Sequence, residues 1–219
     1  MSLNLEQARF NMVEQQVRTW DVLDARVLGV LGTVPREDFV PARYRKLAFA
    51  DLRIPLGHGQ VMMKPLEEGR MLQALEIQPG QRVLEVGTGS GFVAACLSAL
   101  GADVTTVEIM PELADSAAAR LDRLGYASIR VMQADALGEL TLDHGVDAVV
   151  ITGSSLQVPG SLQALVKTGG RLFGVRGQEP AMEAVCMRHL GPGRWLPESL
   201  FETDLPRLIG AEDQPGFEF

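Results

Sequence analysis

Leu84-Glu85-Val86-Gly87-Thr88-Gly89-Ser90-Gly91 is the stretch on which the fold turns. With Val83 in front it reads as a short buried strand, Val83 to Val86, that runs into a loop with glycine at every second position. A nearly all-apolar helix, Phe92 to Leu100, follows. Glycines at such a place let the backbone turn sharply and leave bare main chain for a ligand at a helix N-terminus. A G-x-G-x-x-G loop would place glycine at position 92, which is Phe92, and this argues against a nicotinamide-dependent oxidoreductase. The glycines fall instead at 87, 89 and 91, behind an acid at 85.

Working downstream, Val104 to Val107 reads as a second strand and Pro111 to Leu124 as a helix opened by proline in its first turn. Ile129 to Met132 is a third strand and Asp147 to Ile151 a fourth. A helix from Pro159 to Val166 precedes a fifth strand, Arg171 to Val175. Met182 to His189 and a segment near Trp195 read as two more, joined at Gly191-Pro192-Gly193. Continuous apolar strands alternating with helices predict a parallel sheet covered on both faces. Upstream, residues 4–18 carry Leu5, Ala8, Met12 and Val13 at helical spacing, and Asp24 caps a helix from Ala25 to Leu31 that stops at Gly32. Residues 54–65, rich in Gly and bounded by Pro, read as a loop, and Leu66 to Leu75 as a helix. The expectation is one α/β domain over 1–219: a helical flank and loop (1–78), a core (79–177), and C-terminal strands with a tail (178–219).

Composition narrows the function. The chain has 219 residues, 46% hydrophobic and 22% charged, enough for a full core. A net charge of −8 without a long basic block predicts no nucleic-acid partner. Cys96 and Cys186, far apart and without histidines at ligand spacing, predict neither a disulfide framework nor a metal. No apolar run reaches the ~18 residues of a membrane span, and Met1 to Arg18 lacks an apolar signal core. The expected location is the cytoplasm, and the expected state a monomer or weak dimer.

Three elements converge on cofactor chemistry. The acid-x-G-x-G-x-G loop resembles that of S-adenosylmethionine-dependent methyltransferases, in which the acid helps hold the methionine end. Glu108 ends the second strand, where a carboxylate accepts both ribose hydroxyls of an adenosine. Asp135, in Gln133-Ala134-Asp135-Ala136 just past the third strand, is placed to meet the adenine amino group. Each alone is an ordinary turn or a solvated strand end. Together they lie at successive strand C-termini, where open α/β sheets bind ligands.

The chain then resembles the protein-L-isoaspartate O-methyltransferases, from about Asn11 to at least Gly177. The resemblance rests on Met12-Val13-Glu14-Gln15-Gln16-Val17, on Val34-Pro35-Arg36-Glu37 with Phe39-Val40-Pro41, on Pro55-Leu56-Gly57-His58-Gly59-Gln60, and on Pro79 to Gly91. It implies a Rossmann-like methyltransferase sheet of seven, mostly parallel strands with a modified order at its end and an N-terminal helical flank. It implies carboxyl O-methylation of isoaspartyl residues in damaged proteins or peptides. The implied S-adenosylmethionine site comprises Val61, Met62, Met63, Glu85, Gly87, Thr88, Gly89, Gly91, Glu108, Ile109, Asp135, Ala136 and Thr152.

One segment departs from the family pattern. Thr-Ile-Ser-x-Pro, whose serine is the catalytic position, is here Val61-Met62-Met63-Lys64-Pro65, so Met63 stands where the serine would be and both hydroxyls are lost. A thioether donates no hydrogen bond. The sequence predicts weak or absent turnover of isoaspartyl peptides. Three readings follow: a methyltransferase with an altered acceptor site, one acting on another acceptor, or a cofactor-binding protein without transfer activity. Met62 and Met63 either pack over the cofactor as apolar surface or border the acceptor. Thr152, Ser154 and Ser155, after the fourth strand, either replace the missing hydroxyls or form a turn. His58 and Lys64 are alternative polar candidates. The terminal Phe217-Glu218-Phe219 is expected to dock on the domain.

Overall fold

The computed structural model describes residues 4–138 and 140–211. The terminal aromatics therefore lie outside the described residues. Nine strands and six α-helices occur among those described: β1 (Ile54–Gly57), β2 (Gln60–Met62), β3 (Arg82–Val86), β4 (Asp103–Glu108), β5 (Arg130–Gln133), β6 (Val146–Ser155), β7 (Val166–Gln178), β8 (Ala181–Gly191) and β9 (Arg194–Thr203), with α1 (Leu5–Asn11), α2 (Ala25–Thr33), α3 (Pro65–Leu75), α4 (Phe92–Ala99), α5 (Pro111–Arg123) and α6 (Gly160–Gln163).

Seven strands form one sheet in the order β5-β4-β3-β6-β7-β8-β9. The first five pair in parallel, whereas β8 and β9 return as an antiparallel meander. Alternate strand residues feed two separate cores. Val83, Ala148 and Val150 pack with α3, α4 and the N-terminal flank. Leu84, Val86, Val149 and Ile151 pack with Val158 and Leu162 on the opposite face. This two-sided burial is why the strands read as continuous apolar runs. Chain direction reverses its winding between β3 and β6, and the crevice outside their C-terminal ends is where such sheets take ligands.

Four expectations need correction. Residues 54–65 are largely the hairpin β1–β2, with Ile54 opposite Met62 and Pro55 opposite Val61. Gly57, His58 and Gly59 all take positive φ at its tip. The loop reading failed because each strand is too short to show a period, while its glycines belong to the turn. The helix over 4–18 changes character: after α1 the chain widens into a π-helical turn, Met12–Val17, then a 3-10 turn, Arg18–Trp20. Met12 and Val17, five apart, are both fully buried, a spacing that a wider turn places on one face. The helix expected over Pro159 to Val166 shrinks to α6, because Val166 already pairs with Val146 in the sheet. Finally, β6 runs to Ser155, with a register irregularity between Val150 and Ser154.

Candidate active site

The glycine loop is built by exact backbone needs. Gly87, Gly89 and Gly91 have φ of 94°, 52° and 83°, in the left-handed region that favours glycine. At Gly87 a Cβ would fall 2.4 Å from Thr152 Oγ1. That hydroxyl donates to the Gly87 carbonyl at 2.6 Å and the Val86 carbonyl at 3.1 Å, so β6 clamps the loop from the side. Gly91 lies against Leu121 and starts α4.

A cleft of about 660 Å³ opens at the strand ends. Of the residues expected at the cofactor, it is lined by Val61, Gly87, Gly89, Glu108, Ile109, Asp135, Ala136 and Thr152. Glu108 Oε2 accepts the Gly89 N–H at 2.9 Å and Oε1 accepts the Met110 N–H at 3.1 Å. A carboxylate has about four lone-pair sites, so each oxygen keeps capacity for a hydroxyl donor. Asp135 Oδ1 accepts the Leu137 N–H at 2.8 Å, which fixes the exposed carboxylate at the far end of the cleft.

Behind the glycine loop lies a smaller cavity of about 290 Å³, lined by Val61, Met62, Met63, Glu68, Glu85, Gly87, Thr88, Gly89, Ser90, Val93 and Thr152. The cleft and this cavity share Val61, Gly87, Gly89 and Thr152. Glu85 is fully buried and in register with Thr106, which donates to Oε2 at 2.6 Å. Thr88 Oγ1 sits 2.6 Å from Thr106 Oγ1. With Thr106 donating to the carboxylate, Thr88 supplies the proton of that second contact. Glu85 Oε1 has no hydrogen-bond partner among the described residues. Burial pushes its carboxyl up to about 8, against the Thr106 hydrogen bond, with the charges of Glu108 and Glu68 adding to the rise.

The departing segment is apolar and held from its main chain. Met62 and Met63 are buried, and the Met63 carbonyl accepts Arg36 Nη2 at 2.7 Å. The fully buried Arg36 also donates from Nε to the Ala48 carbonyl at 2.7 Å, pairs with Glu68, and lies 4.8 Å over the Phe92 ring. The Val34-Pro35-Arg36-Glu37 motif thus holds Met63 in place. Sequence reasoning missed this, because nothing in the spacing of positions 36, 63 and 68 announces their contact.

The candidate replacement hydroxyls are otherwise engaged. Ser154 Oγ donates to the Leu205 carbonyl at 2.7 Å and Ser155 Oγ to the Gln157 carbonyl at 2.8 Å, and neither residue lines the cleft or the smaller cavity. Thr152 lines both but donates to the loop. His58 is exposed at the hairpin tip, and Lys64 caps α3. A wall that the sequence did not announce comes from Arg207, Leu208 and Ile209. The Ser154 N–H donates to the Pro206 carbonyl at 2.9 Å and the Leu208 N–H to the Ser154 carbonyl at 2.8 Å, strapping this segment beside β6. Its signal, an apolar pair after a proline, is too short to be placed from sequence.

Comparison with known proteins agrees with this architecture. A "beta-aspartate methyltransferase (PCMT)" from Plasmodium falciparum in complex with S-adenosyl-L-homocysteine superposes with a TM-score of 0.78 at 16% identity, covering 94% of this chain and 99% of the other. A protein-L-isoaspartate O-methyltransferase from Rhodopseudomonas palustris is 40% identical over 202 residues, 92% of this chain and 93% of its own. One from Gloeobacter violaceus is 37% identical over 203 residues, 93% and 99%. The family model for protein-L-isoaspartate(D-aspartate) O-methyltransferase (PCMT) matches residues 7–186. The chain belongs to the protein-L-isoaspartate(D-aspartate) O-methyltransferase family.

Proposed function

We propose that this chain binds S-adenosylmethionine along the cleft and its inner cavity and methylates the carboxylate of isoaspartyl residues in proteins or peptides. A methyltransferase activity is what family membership implies. The observation that carries the site assignment is the convergence of Glu85, Glu108 and Asp135 on two adjoining spaces beside Val61–Met63. The residues fit such a cofactor: a lone buried acceptor at Glu85, a half-engaged carboxylate at Glu108, and a loop whose Gly87 tolerates no side chain.

When bound, the cofactor supplies an electrophilic methyl group on a sulfonium. Glu108 would accept the ribose hydroxyls, Asp135 would hold the adenine amino group, and Glu85 Oε1 would accept from the ammonium of the amino-acid end. Val61, Met62 and Met63 give the inner cavity an apolar wall. An isoaspartyl carboxylate is already ionised at neutral pH, so no residue has to remove a proton. The protein's contribution is alignment of the two reactants. With no hydroxyl at 61 or 63 to orient the acceptor oxygen, the transfer is slow.

S-adenosylhomocysteine should raise the melting temperature, since a ligand selective for the native state stabilises it by mass action. Glu108→Ala should lose about 1.5–3 kcal/mol of that binding, the value of hydrogen bonds to a charged group. No shift at millimolar ligand would overturn the assignment. With labelled cofactor and an isoaspartyl peptide, a slow base-labile methyl ester is expected. Binding without any label transfer would favour the second reading, a cofactor-binding protein whose acceptor hydroxyls are gone.

A further inference from the structure

Glu68 is not among the residues that sequence reasoning placed at the site, yet it lines the inner cavity beside Glu85. It stands on α3, 1% exposed, and reaches the cavity from the same sheet face as Glu85. Its Oε2 accepts from Arg36 Nη1, while Oε1 is buried without a hydrogen-bond partner among the described residues. Glu85 Oε1 is in the same condition. Two acids that line one small cavity are thus each left with a buried oxygen that has acceptor capacity and no donor among the described residues. Carboxylate oxygens accept and, when ionised, never donate. An unpaired buried acceptor costs its full desolvation, so the cavity is built for an occupant that carries several N–H donors and a positive charge.

Charge bookkeeping agrees. With both acids ionised, Arg36 and Glu68 cancel, and Glu85 carries one negative charge that a single ammonium neutralises. Ser90 lines the same cavity; its Oγ accepts the Phe92 N–H at 3.3 Å and keeps its own proton for the carboxylate of an amino-acid group. An α-amino acid moiety matches this set of donors and acceptors.

Resting on the cofactor reading above, we propose that Glu68 is a second binding residue for the ammonium of the cofactor's amino-acid end, sharing it with Glu85 across the inner cavity. The charged and titratable groups that face Glu68 are Arg36 from the 3-10 turn (Arg36–Asp38), Glu85 from β3, Cys96 from α4 and Glu67 on its own helix. Burial raises the Glu68 carboxyl to about 7, opposed by Arg36. An ammonium placed between the two acids favours the ionised form of both, so binding releases protons at neutral pH.

Two measurements test this. Calorimetric titration with S-adenosylhomocysteine in buffers of different ionisation heat should show proton release at pH 7, and the deaminated analogue of that ligand should show none. Glu68→Gln should bind S-adenosylhomocysteine about tenfold more weakly and release fewer protons, with affinity for the deaminated analogue unchanged. Because Glu68→Gln leaves Arg36 without its partner, the wild-type chain provides an independent readout through carboxyl ¹³C NMR. There the Glu68 resonance should titrate near neutrality in the free chain and stay ionised between about pH 6 and 8 with S-adenosylhomocysteine, but not with the analogue. A Glu68 titration that S-adenosylhomocysteine leaves unmoved overturns the proposal while the cofactor reading stands. Absence of any S-adenosylhomocysteine binding overturns both.

Discussion

At the scale of the residue, the proposed acceptor end is defined by what Val61 and Met63 lack. Both border the inner cavity, and the Met63 main chain is fixed by Arg36. A hydroxyl introduced at either position would therefore face a preset geometry. Val61→Thr combined with Met63→Ser should raise methyl transfer to an isoaspartyl peptide. Removal of one well-placed donor costs up to about 10²–10³ in rate where it stabilises a developing charge. Here that figure is an upper guide, because the attacking carboxylate loses charge as the methyl arrives. The measurement is initial rate with labelled cofactor, wild type against double variant. A wild-type rate equal to that of a family member retaining both hydroxyls would show that other donors serve. Ser154 and Ser155 are not those donors, since each already donates to a main-chain carbonyl.

At the scale of the element, one buried arginine joins three segments. Arg36 ties the 3-10 turn to Ala48, to Glu68 on α3, and to the carbonyl of Met63 ahead of α3. Arg36→Met removes the cation and leaves Glu68 and two carbonyls without a donor. Loss of one partner of a buried pair costs about 3–5 kcal/mol, whereas exchange of both for apolar groups is often nearly neutral. Urea unfolding should show that loss in Arg36→Met, with much of it regained in the double variant Arg36→Met, Glu68→Met. A single-variant loss below about 1 kcal/mol would mean that the pair does not organise the segment. The double variant should recover stability and not cofactor affinity, which separates the structural use of Glu68 from its use as a ligand.

At the scale of the whole molecule, buried acids set an unusual dependence on pH. The Glu85 and Glu68 carboxyls ionise in the unfolded chain near 4.5 but in the folded chain only near 8 and 7. Between those values the native state holds more protons, so its stability falls as pH rises. The slope approaches 1.4 kcal/mol per unit for each group, the value of one proton. Acids held low act on the other side. Glu183, kept down by hydrogen bonds from Ser199 and Arg176, favours the folded state above its ordinary range and loses that contribution on acidification. The free chain should therefore melt at progressively lower temperature from about pH 5 to 8, and Glu85→Gln should flatten that limb. Saturating S-adenosylhomocysteine should flatten it as well. A melting temperature that rises across this interval would refute the account.

What the sequence determined by itself follows from local rules. Alternating strands and helices around Leu84 to Gly91 are written in apolar runs, because a strand buried on both faces has no other composition available. Glu85, Glu108 and Asp135 were legible as neighbours because strand C-termini in a parallel sheet lie on one edge whatever the details of packing, and they line two adjoining spaces there. The loss of both hydroxyls at Val61 and Met63 needed only the motif. Tertiary structure alone decided the rest. Hydroxyl direction at Thr152, Ser154 and Ser155 depends on which carbonyl lies nearest, and those carbonyls belong to positions as distant as 87 and 205. The strap of Arg207 to Ile209 along the cleft, and the meeting of Arg36, Met63 and Glu68, are contacts between segments whose sequence separation carries no period. Burial likewise decided that Glu68, which reads as an ordinary helical surface acid, lies inside the molecule with one oxygen still in need of a donor.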